Sequence, residues 1–143
     1  MKSELLKISV VLIFSISFLS CAQSTKQNNE TETMEAVQKR VVSLISPEEL
    51  NKITDEIQLI DVRTPKEFAE GHLSNAVNIN FYDSNFMEEM SKLDKNKDLY
   101  IYCRSGGRSG KAAKKLKSQG FLKVYDLDGG ILNWNQSKMK VVK

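Results

Sequence analysis

The sequence has little excess charge, no long apolar run and only two cysteines, and each of these features limits the classes of function that are possible. The formal net charge is +3 over 143 residues, and the lysines are scattered in the way that is typical of solvated helix faces. Without a concentrated basic patch, the chain is not expected to bind nucleic acid. The longest apolar run, Ile8 to Leu19, is too short to span a hydrocarbon core about 30 Å thick.

The amino terminus has the pattern of a bacterial export signal. Lys2 and Lys7 supply positive charge before the apolar run, and Ser20 and Cys21 follow it. This arrangement resembles the lipobox of bacterial lipoproteins, in which the cysteine is lipidated and becomes the first mature residue. Residues 1–20 are therefore predicted to be a lipoprotein-type signal peptide, with lipidation at Cys21. The alternative is an ordinary cleaved signal followed by a chance cysteine.

Lipidation would place the protein on a membrane of the bacterial cell envelope, with its domain facing the periplasm. Residues 21–40 are polar and poor in aromatic side chains, so we expect a flexible tether between lipid and domain. Residues 41–143 are enough to bury one core. Cys103 would then be the domain's single thiol, without a disulfide partner in an oxidising compartment. Such an isolated thiol indicates a chemical role.

From residue 41 onward, strand patterns alternate with helix patterns. Strands are predicted at Gln58–Val62, Ala76–Ile79, Leu99–Cys103 and Lys123–Leu127. Capping boxes at Ser46–Glu49 and Thr64–Glu67 open two short helices, and further helices are predicted at 84–93, up to Gln119, and from Gly130. The alternation predicts an α/β fold: one domain with a mostly parallel sheet of about five strands and helices on both faces.

Cys103 stands where a predicted strand runs into a glycine-containing loop and then a helix. In parallel sheets, ligands bind beyond the carboxyl ends of the strands. Gly106 and Gly107 allow the loop's N–H groups to point inward, and the helix N-terminus adds partial positive charge. Arg104 and Arg108 add full charges. We therefore expect a lowered pKa and a nucleophilic thiolate at Cys103, although a buried structural cysteine is the alternative.

Three segments are similar to the signatures of rhodanese domains. The segment CRSGGRS at residues 103–109 resembles the active-site loop of that family. LIDVR at residues 59–63, with Glu67-Phe68 and Gly71-His72-Leu73, resembles the family's opening signature. Asp128-Gly129-Gly130 with Trp134 resembles its closing signature. The resemblance runs from Ser46 to Trp134 with matching order and spacing. Asn75 replaces the family's common glycine, but asparagine tolerates a left-handed backbone.

The resemblance implies a sulfurtransferase that works through a persulfide on Cys103. The thiolate would take the outer sulfur of thiosulfate, or of a persulfide donor, and pass it to cyanide or to a thiol. A thioredoxin-like protein is one candidate acceptor. The persulfide would be held by the Cys103 loop, defined here as Arg104, Ser105, Gly106, Gly107, Arg108 and Ser109. No metal or organic cofactor is implied.

Two other functions fit a loop of this kind. Rhodanese-like phosphatases of the cell-cycle class, and tyrosine phosphatases generally, have one residue more between cysteine and arginine than the four between Cys103 and Arg108. The shorter loop favours a single sulfur over a tetrahedral phosphate or arsenate, which ranks phosphatase and arsenate reductase activity lower. A non-enzymatic module that carries persulfide sulfur, or only binds a partner, is the main alternative.

Several other residues invite a role in the site. Asp61 and Arg63 lie at the carboxyl end of a different strand and either line the site or buttress it, with a structural role favoured for Arg63. His72 is the one histidine, and the resemblance gives it a structural role. Glu67 is explained as the N3 residue of a capping box, and Trp134 as a core or domain-closing aromatic.

Overall fold

The computed structural model describes residues 41–53 and 55–143. The predicted signal peptide (1–20), the tether (21–40) and the predicted lipidation site Cys21 lie outside the described residues. Within the described part, no helix combines the length and the apolar character needed to cross a membrane.

Five strands and five helices alternate along the described residues. The strands are β1 (Val41–Ile45), β2 (Gln58–Asp61), β3 (Val77–Asn78), β4 (Leu99–Tyr102) and β5 (Lys123–Leu127). The helices are α1 (Pro47–Asn51), α2 (Pro65–Glu70), α3 (Phe86–Ser91), α4 (Gly107–Ser118) and α5 (Gly130–Gln136). The strands form one sheet in the order β1-β5-β4-β2-β3, and each adjacent pair is parallel. The predicted α/β class is confirmed.

Helices cover both faces of this sheet, as the alternating pattern predicts. One face packs against α3 and α4, and its buried side chains include Ile60, Val62, Met90, Ile101, Leu116 and Val124. The other face packs against α1 and α5, and its buried side chains include Leu50, Leu59, Leu73, Tyr102, Leu127 and Trp134. The central strand β4 is buried along its whole length, which explains its continuously apolar sequence.

Strand β1 and the position of Cys103 differ from the sequence-based prediction, and several other strand and helix ends shift by one or two residues. The first strand, Val41–Ile45, was not assigned from the sequence. It lies at the sheet edge, and Val41, Val42 and Leu44 are exposed, so it lacks the burial pattern of the inner strands. Cys103 lies one residue beyond β4 instead of inside it. Its carbonyl accepts a hydrogen bond from the N–H of Ile131 in α5 at 3.0 Å, and this contact replaces strand pairing.

Both predicted capping boxes are present. The side chain of Ser46 accepts from the N–H of Glu49, and the Glu49 carboxylate accepts from the N–H of Ser46. Thr64 and Glu67 make the same reciprocal pair at the start of α2. These contacts satisfy N–H groups that the first helical turn leaves free, so the short helices begin where the sequence predicts.

Position in the sheet places Cys103 at a crevice. The neighbouring strands β2 and β4 send their connections in opposite directions, from β2 outward to β3 and from β4 across to β5. Such a reversal of strand order opens a space between the two loops at the carboxyl edge, where α/β proteins commonly bind ligands. Cys103 follows β4 directly at this point.

The last helix packs end-on against the chain around Cys103. The N–H groups of Ile131 and Leu132 donate to the carbonyls of Cys103 and Arg104, at 3.0 Å and 3.1 Å. Gly130, which has a φ of +60°, makes this approach feasible: a Cβ atom there would lie 2.5 Å from the carbonyl oxygen of Cys103. A glycine at the first position of α5 is therefore needed for close contact between this helix and the loop.

We predict that Gly130→Ala shifts the Cys103 loop and lowers the free energy of unfolding by at least about 2 kcal/mol, because the left-handed backbone and the overlap both oppose a Cβ atom. Gly107→Ala is the matched control, since a Cβ there meets nothing within 4 Å. Urea denaturation of both variants measures the difference. Equal stability of the two variants would contradict this role for Gly130.

Candidate active site

The sulfur of Cys103 lies beneath the loop that follows β4. Cys103 is 1% exposed and belongs to the buried cluster on the α4 side of the sheet. Burial of a thiolate removes water that would otherwise stabilise its charge. A nucleophile in this position therefore depends on hydrogen-bond donors from the protein.

The Cys103 loop supplies such donors. The N–H of Gly106 donates to Sγ at 3.2 Å, and the hydroxyl of Ser109 donates to it at 3.4 Å. Burial raises the pKa of the Cys103 thiol, but the hydrogen bonds outweigh it. Those from the Ser109 hydroxyl and from the backbone N–H groups of Ser109, Ser105 and Arg108 leave the pKa below its ordinary value. The direction agrees with the expectation from the sequence.

One glycine gives the loop its shape. Gly106, the residue that precedes α4, has a φ of +93° in the left-handed region, where a side chain is disfavoured. This conformation turns the chain back so that its N–H points at the sulfur and α4 begins beside it. Gly107 has an ordinary backbone and open space around it. The left-handed geometry that the sequence suggested for both glycines is therefore needed at one.

Arg108 does not stand as a free charge beside Cys103. Its guanidinium makes a two-pronged ion pair with the carboxylate of Glu67, with both N–O distances at 2.7 Å. It also lies over the ring of Tyr82, 5.7 Å from the centroid. The backbone N–H of Arg108 acts on the sulfur, while the side chain fixes the far end of the loop to α2.

Glu67 has a second role that sequence analysis missed. The same carboxylate accepts from the N–H and the hydroxyl of Thr64, at 3.1 Å and 2.9 Å. Glu67 thus caps α2 and holds Arg108 at once, and it joins the loops that follow β2 and β4. The strand order explains why Glu67 and Arg108 meet. Strands β2 and β4 are neighbours in the sheet, so the loops that follow them lie side by side.

Asp61 and Arg63 form a buried ion pair. The two-pronged contact includes a 2.6 Å distance between Arg63 and Asp61 Oδ2, and the guanidinium also donates to the carbonyl of Gly71 at 2.7 Å. Arg63 lies over the ring of Tyr102. Burial lowers the pKa of Arg63, but the hydrogen bond and charge of Asp61 raise it above its ordinary value. This geometry favours the structural alternative, with the pair bracing the loop after β2.

A cleft of about 420 Å³ lies beside the Cys103 loop. Its wall includes Arg63, Glu67, Glu70, Arg104, Leu132 and Asn135. Arg104 and Ser105 are exposed, so their side chains are free to meet a ligand in solution. Cys103 does not line this cleft.

His72 and Trp134 contact structural partners. The imidazole of His72 stacks on Phe68 with ring centroids 3.7 Å apart, and its backbone bonds to Val142 at 2.9 Å and 2.8 Å. Trp134 is buried in the core beneath α5, and its indole N–H donates to the carbonyl of Lys140. Both residues anchor the carboxyl-terminal segment. Neither contacts the sulfur.

We predict that Glu67→Gln lowers the free energy of unfolding by about 1–2 kcal/mol at neutral pH, because Arg108 loses its charged partner. The pKa of Glu67 is lowered to about 2, chiefly by the hydrogen bond from Arg108. A lowered pKa stabilises the fold above the unfolded-state value near 4.5, and this contribution disappears as pH falls toward 2.

Thermal unfolding across this pH range measures the difference between the wild-type chain and Glu67→Gln. Glu70→Gln is the matched control, since Glu70 lies exposed at the end of the same helix. The difference between wild type and Glu67→Gln should be largest near neutral pH and shrink in acid. A difference that persists unchanged at the lowest pH would show that the ion pair is not its source.

Comparisons with known proteins agree with this geometry. A model of the rhodanese-like domain matches residues 46–137. The chain is 36% identical over 106 residues to the uncharacterized protein YqhL of Bacillus subtilis, which covers 74% of this chain and 82% of that protein. It is 37% identical over 89 residues to a sulfurtransferase of Allochromatium vinosum, which covers 62% of this chain and 81% of that protein.

Solved structures share the fold. A rhodanese-related protein from Thermoplasma volcanium has a TM-score of 0.62 and 31% identity, over 70% of this chain and 97% of its own. A rhodanese-like domain protein from Staphylococcus aureus has a TM-score of 0.58 and 29% identity, over 64% and 90%. The family model, the sulfurtransferase relative and the shared fold agree with a cysteine that is lined by donors after β4. The chain therefore belongs to the rhodanese-like domain family.

Proposed function

We propose that this protein transfers sulfane sulfur from thiosulfate or a persulfide donor to a thiol or to cyanide, through a persulfide on Cys103. The observation that carries the proposal is the set of hydrogen-bond donors around one buried sulfur. Gly106 and Ser109 donate to Sγ directly, and the pKa of Cys103 lies below its ordinary value because of such bonds. These donors stabilise the thiolate that sulfur transfer requires.

The chemistry takes place in two balanced displacements. The Cys103 thiolate forms a bond to the outer sulfur of thiosulfate, the S–S bond of thiosulfate breaks, and sulfite leaves with the bonding electron pair. An acceptor thiolate, or cyanide, then bonds to the outer sulfur of the persulfide, and Cys103 leaves again as a thiolate. No external oxidant or reductant is needed, because sulfur is exchanged between nucleophiles.

The loop favours sulfur over phosphate as its ligand. Four residues separate Cys103 from Arg108, and the sulfur is almost fully covered, at 1% exposure of the residue. Arg108 is bound to Glu67 at two points, so its side chain is not free to surround a tetrahedral oxyanion. These features support sulfur transfer over phosphatase or arsenate reductase activity.

The cleft beside the loop supports a donor or acceptor larger than thiosulfate. Exposed Arg104 on its wall is suited to an anionic group such as sulfonate or carboxylate. A small thiol or a thioredoxin-like protein fits the acceptor role. A carrier function, in which the persulfide is passed on without rapid turnover, uses the same thiolate and differs in rate.

We predict that thiosulfate adds about 32 Da, one sulfur atom, to the chain and that cyanide or dithiothreitol removes it. Full-length Cys21→Ala leaves Cys103 as the sole thiol and isolates the reaction there, and intact-protein mass spectrometry measures it. Adding Cys103→Ser should abolish the mass increase. Persulfide formation that survives without Cys103 would contradict the mechanism, as would efficient hydrolysis of para-nitrophenyl phosphate by the wild-type chain.

We also propose that the chain is exported and held on a membrane of the bacterial cell envelope by lipid on Cys21, with the domain facing the periplasm. The support is the sequence pattern alone: Lys2 and Lys7, the apolar run, and Ser20 before Cys21. Several acyl chains, at about 0.8 kcal/mol per buried CH₂, would make attachment effectively permanent.

We predict that Cys21→Ala releases the protein from the detergent phase or leaves its precursor uncleaved, because no residue remains to accept lipid. Detergent partitioning and the mass of the mature chain measure the outcome. Cys103→Ser is the control and should partition like wild type. Unchanged partitioning and processing of Cys21→Ala would exclude lipidation at this residue.

A further inference from the structure

A buried carboxylate lies close to the active-site thiol without a role in the proposed chemistry. Asp126 is on β5 and is 5% exposed. In the sheet it pairs with Ile101 of β4, two residues before Cys103. Directly paired residues of parallel strands point to the same face, and so do residues two apart. The side chain of Asp126 therefore lies under α4, on the face that holds Cys103.

One oxygen of Asp126 has no hydrogen-bond partner. Among the described residues, Asp126 Oδ1 is the buried side-chain polar atom left unsatisfied. The other oxygen approaches the start of α4, where a Cβ placed on Gly110 would lie 3.4 Å from Oδ2. Because an unpaired buried polar group is costly, its persistence calls for a functional explanation.

Ser109 and its neighbour Gly110 link the thiol to the Asp126 region. Ser109 is fully buried, its hydroxyl donates to Cys103 Sγ at 3.4 Å, and Gly110 faces Asp126 Oδ2. Burial raises the pKa of the Asp126 carboxyl, and hydrogen bonding to the Ser109 side chain lowers it. A serine hydroxyl has one proton to donate and two lone pairs that accept. It cannot donate to the thiolate and to an ionised carboxylate at the same time.

We propose that Asp126 is a positioning residue that controls the protonation state of Cys103 by competing for the hydroxyl proton of Ser109. When Asp126 is protonated, it can donate to Ser109, and Ser109 donates to the Cys103 thiolate. When Asp126 is ionised, it draws the Ser109 proton to itself and leaves the sulfur with one donor fewer. The buried negative charge then also opposes the thiolate.

The surroundings of Asp126 contain few other charges. Within their bounds, the sequences of β1 (VVSLI) and α5 (GILNWNQ) contain no charged residue. Lysines 111, 114, 115 and 117 of α4 are exposed, and Arg108 is engaged with Glu67. At the carboxyl ends of β4 and β5, the adjoining ionisable side chains are Cys103, Arg104 and Asp128. At the opposite end of these strands, Asp98 pairs with Lys123 at 3.5 Å. The local balance is thus set chiefly by two acids that share one hydroxyl.

The competition depends on pH. Burial raises the pKa of Asp126, the bond from Ser109 lowers it, and the charge of Asp128 raises it, with a resulting pKa of about 6. As pH rises through this value, the carboxylate forms and makes ionisation of Cys103 harder. Thiolate should therefore appear over a broad pH range, as in other coupled pairs of acids.

Replacing the carboxylate tests the proposal. In the full-length chain with Cys21→Ala, iodoacetamide alkylation followed over about pH 5 to 9 reports the thiolate of Cys103. Asp126→Asn should raise the thiolate fraction at neutral pH roughly tenfold, the effect of about one pKa unit. Because nucleophilicity falls as a thiol becomes more acidic, the alkylation rate should rise only about threefold to fourfold. The broad profile should sharpen to one inflection.

Three further variants keep the test decisive. Asp126→Ser, which is smaller and also uncharged, should change the profile in the same direction. Ser109→Ala should remove most of the effect of Asp126→Asn, as a double-mutant cycle would measure. Asp98→Asn removes an acid at the opposite end of β4, where Asp98 pairs with Lys123 at 3.5 Å, and should leave the profile unchanged.

An unchanged alkylation profile in both folded Asp126 variants would overturn the proposal, and so would an effect of full size in the Ser109→Ala background. The proposal concerns the thiolate of Cys103, and only its relevance to sulfur transfer rests on the proposed sulfurtransferase function. If the alkylation profile changes as expected while no variant accepts sulfur from thiosulfate, the proposed function fails and this inference stands.

Discussion

A thiolate buried beneath a loop requires donors in place of water, and the architecture around Cys103 meets that requirement. Burial alone raises the pKa of the thiol, yet hydrogen bonds from Ser109 and the loop N–H groups bring it below the ordinary value. Donors can do this only if they are held in place, because a flexible loop would relax away from the sulfur. The left-handed Gly106 directs its N–H at Sγ from 3.2 Å. The loop's rigidity is therefore part of the chemistry.

That rigidity comes from elements that are distant in sequence. The carboxyl end of the loop is tied to α2 by Arg108 and Glu67, and its amino end is tied to α5 by the N–H groups of Ile131 and Leu132. Arg63 and Asp61 brace the adjoining loop after β2. Each of these contacts replaces water around a polar group, so the loop is held in place at both of its ends. Such support from a surrounding shell distinguishes an ordered nucleophile from a merely exposed cysteine.

The sequence was informative where local rules apply and silent where contacts are long-range. Both capping boxes, strand β5 and the α/β class follow from short patterns. The left-handed backbone allowed for Asn75 is present, with a φ of 64°. Edge strand β1 lacks the run of buried side chains that marks an inner strand, so its sequence does not predict a strand. The Glu67–Arg108 pair joins residues 41 positions apart, and the cap already explained Glu67. No local pattern indicates that Asp126, within a regular strand, faces Ser109, because that depends on the register of β4 and β5.

The two faces of the sheet treat buried charge differently, and this difference bears on how reactivity is tuned. On the α5 side, Asp61 is matched by a guanidinium with several hydrogen bonds, so its buried charge is compensated by a cation. On the α4 side, Asp126 forms no ion pair with any of residues 41–53 and 55–143 and has one unsatisfied oxygen, so its two charge states lie closer in free energy. An acid in an ion pair stabilises the fold, whereas an unpaired acid beside a nucleophile can gain or lose a proton as the pH changes. Cys103 lies on the second face, where a change of one proton alters the donors that the sulfur receives.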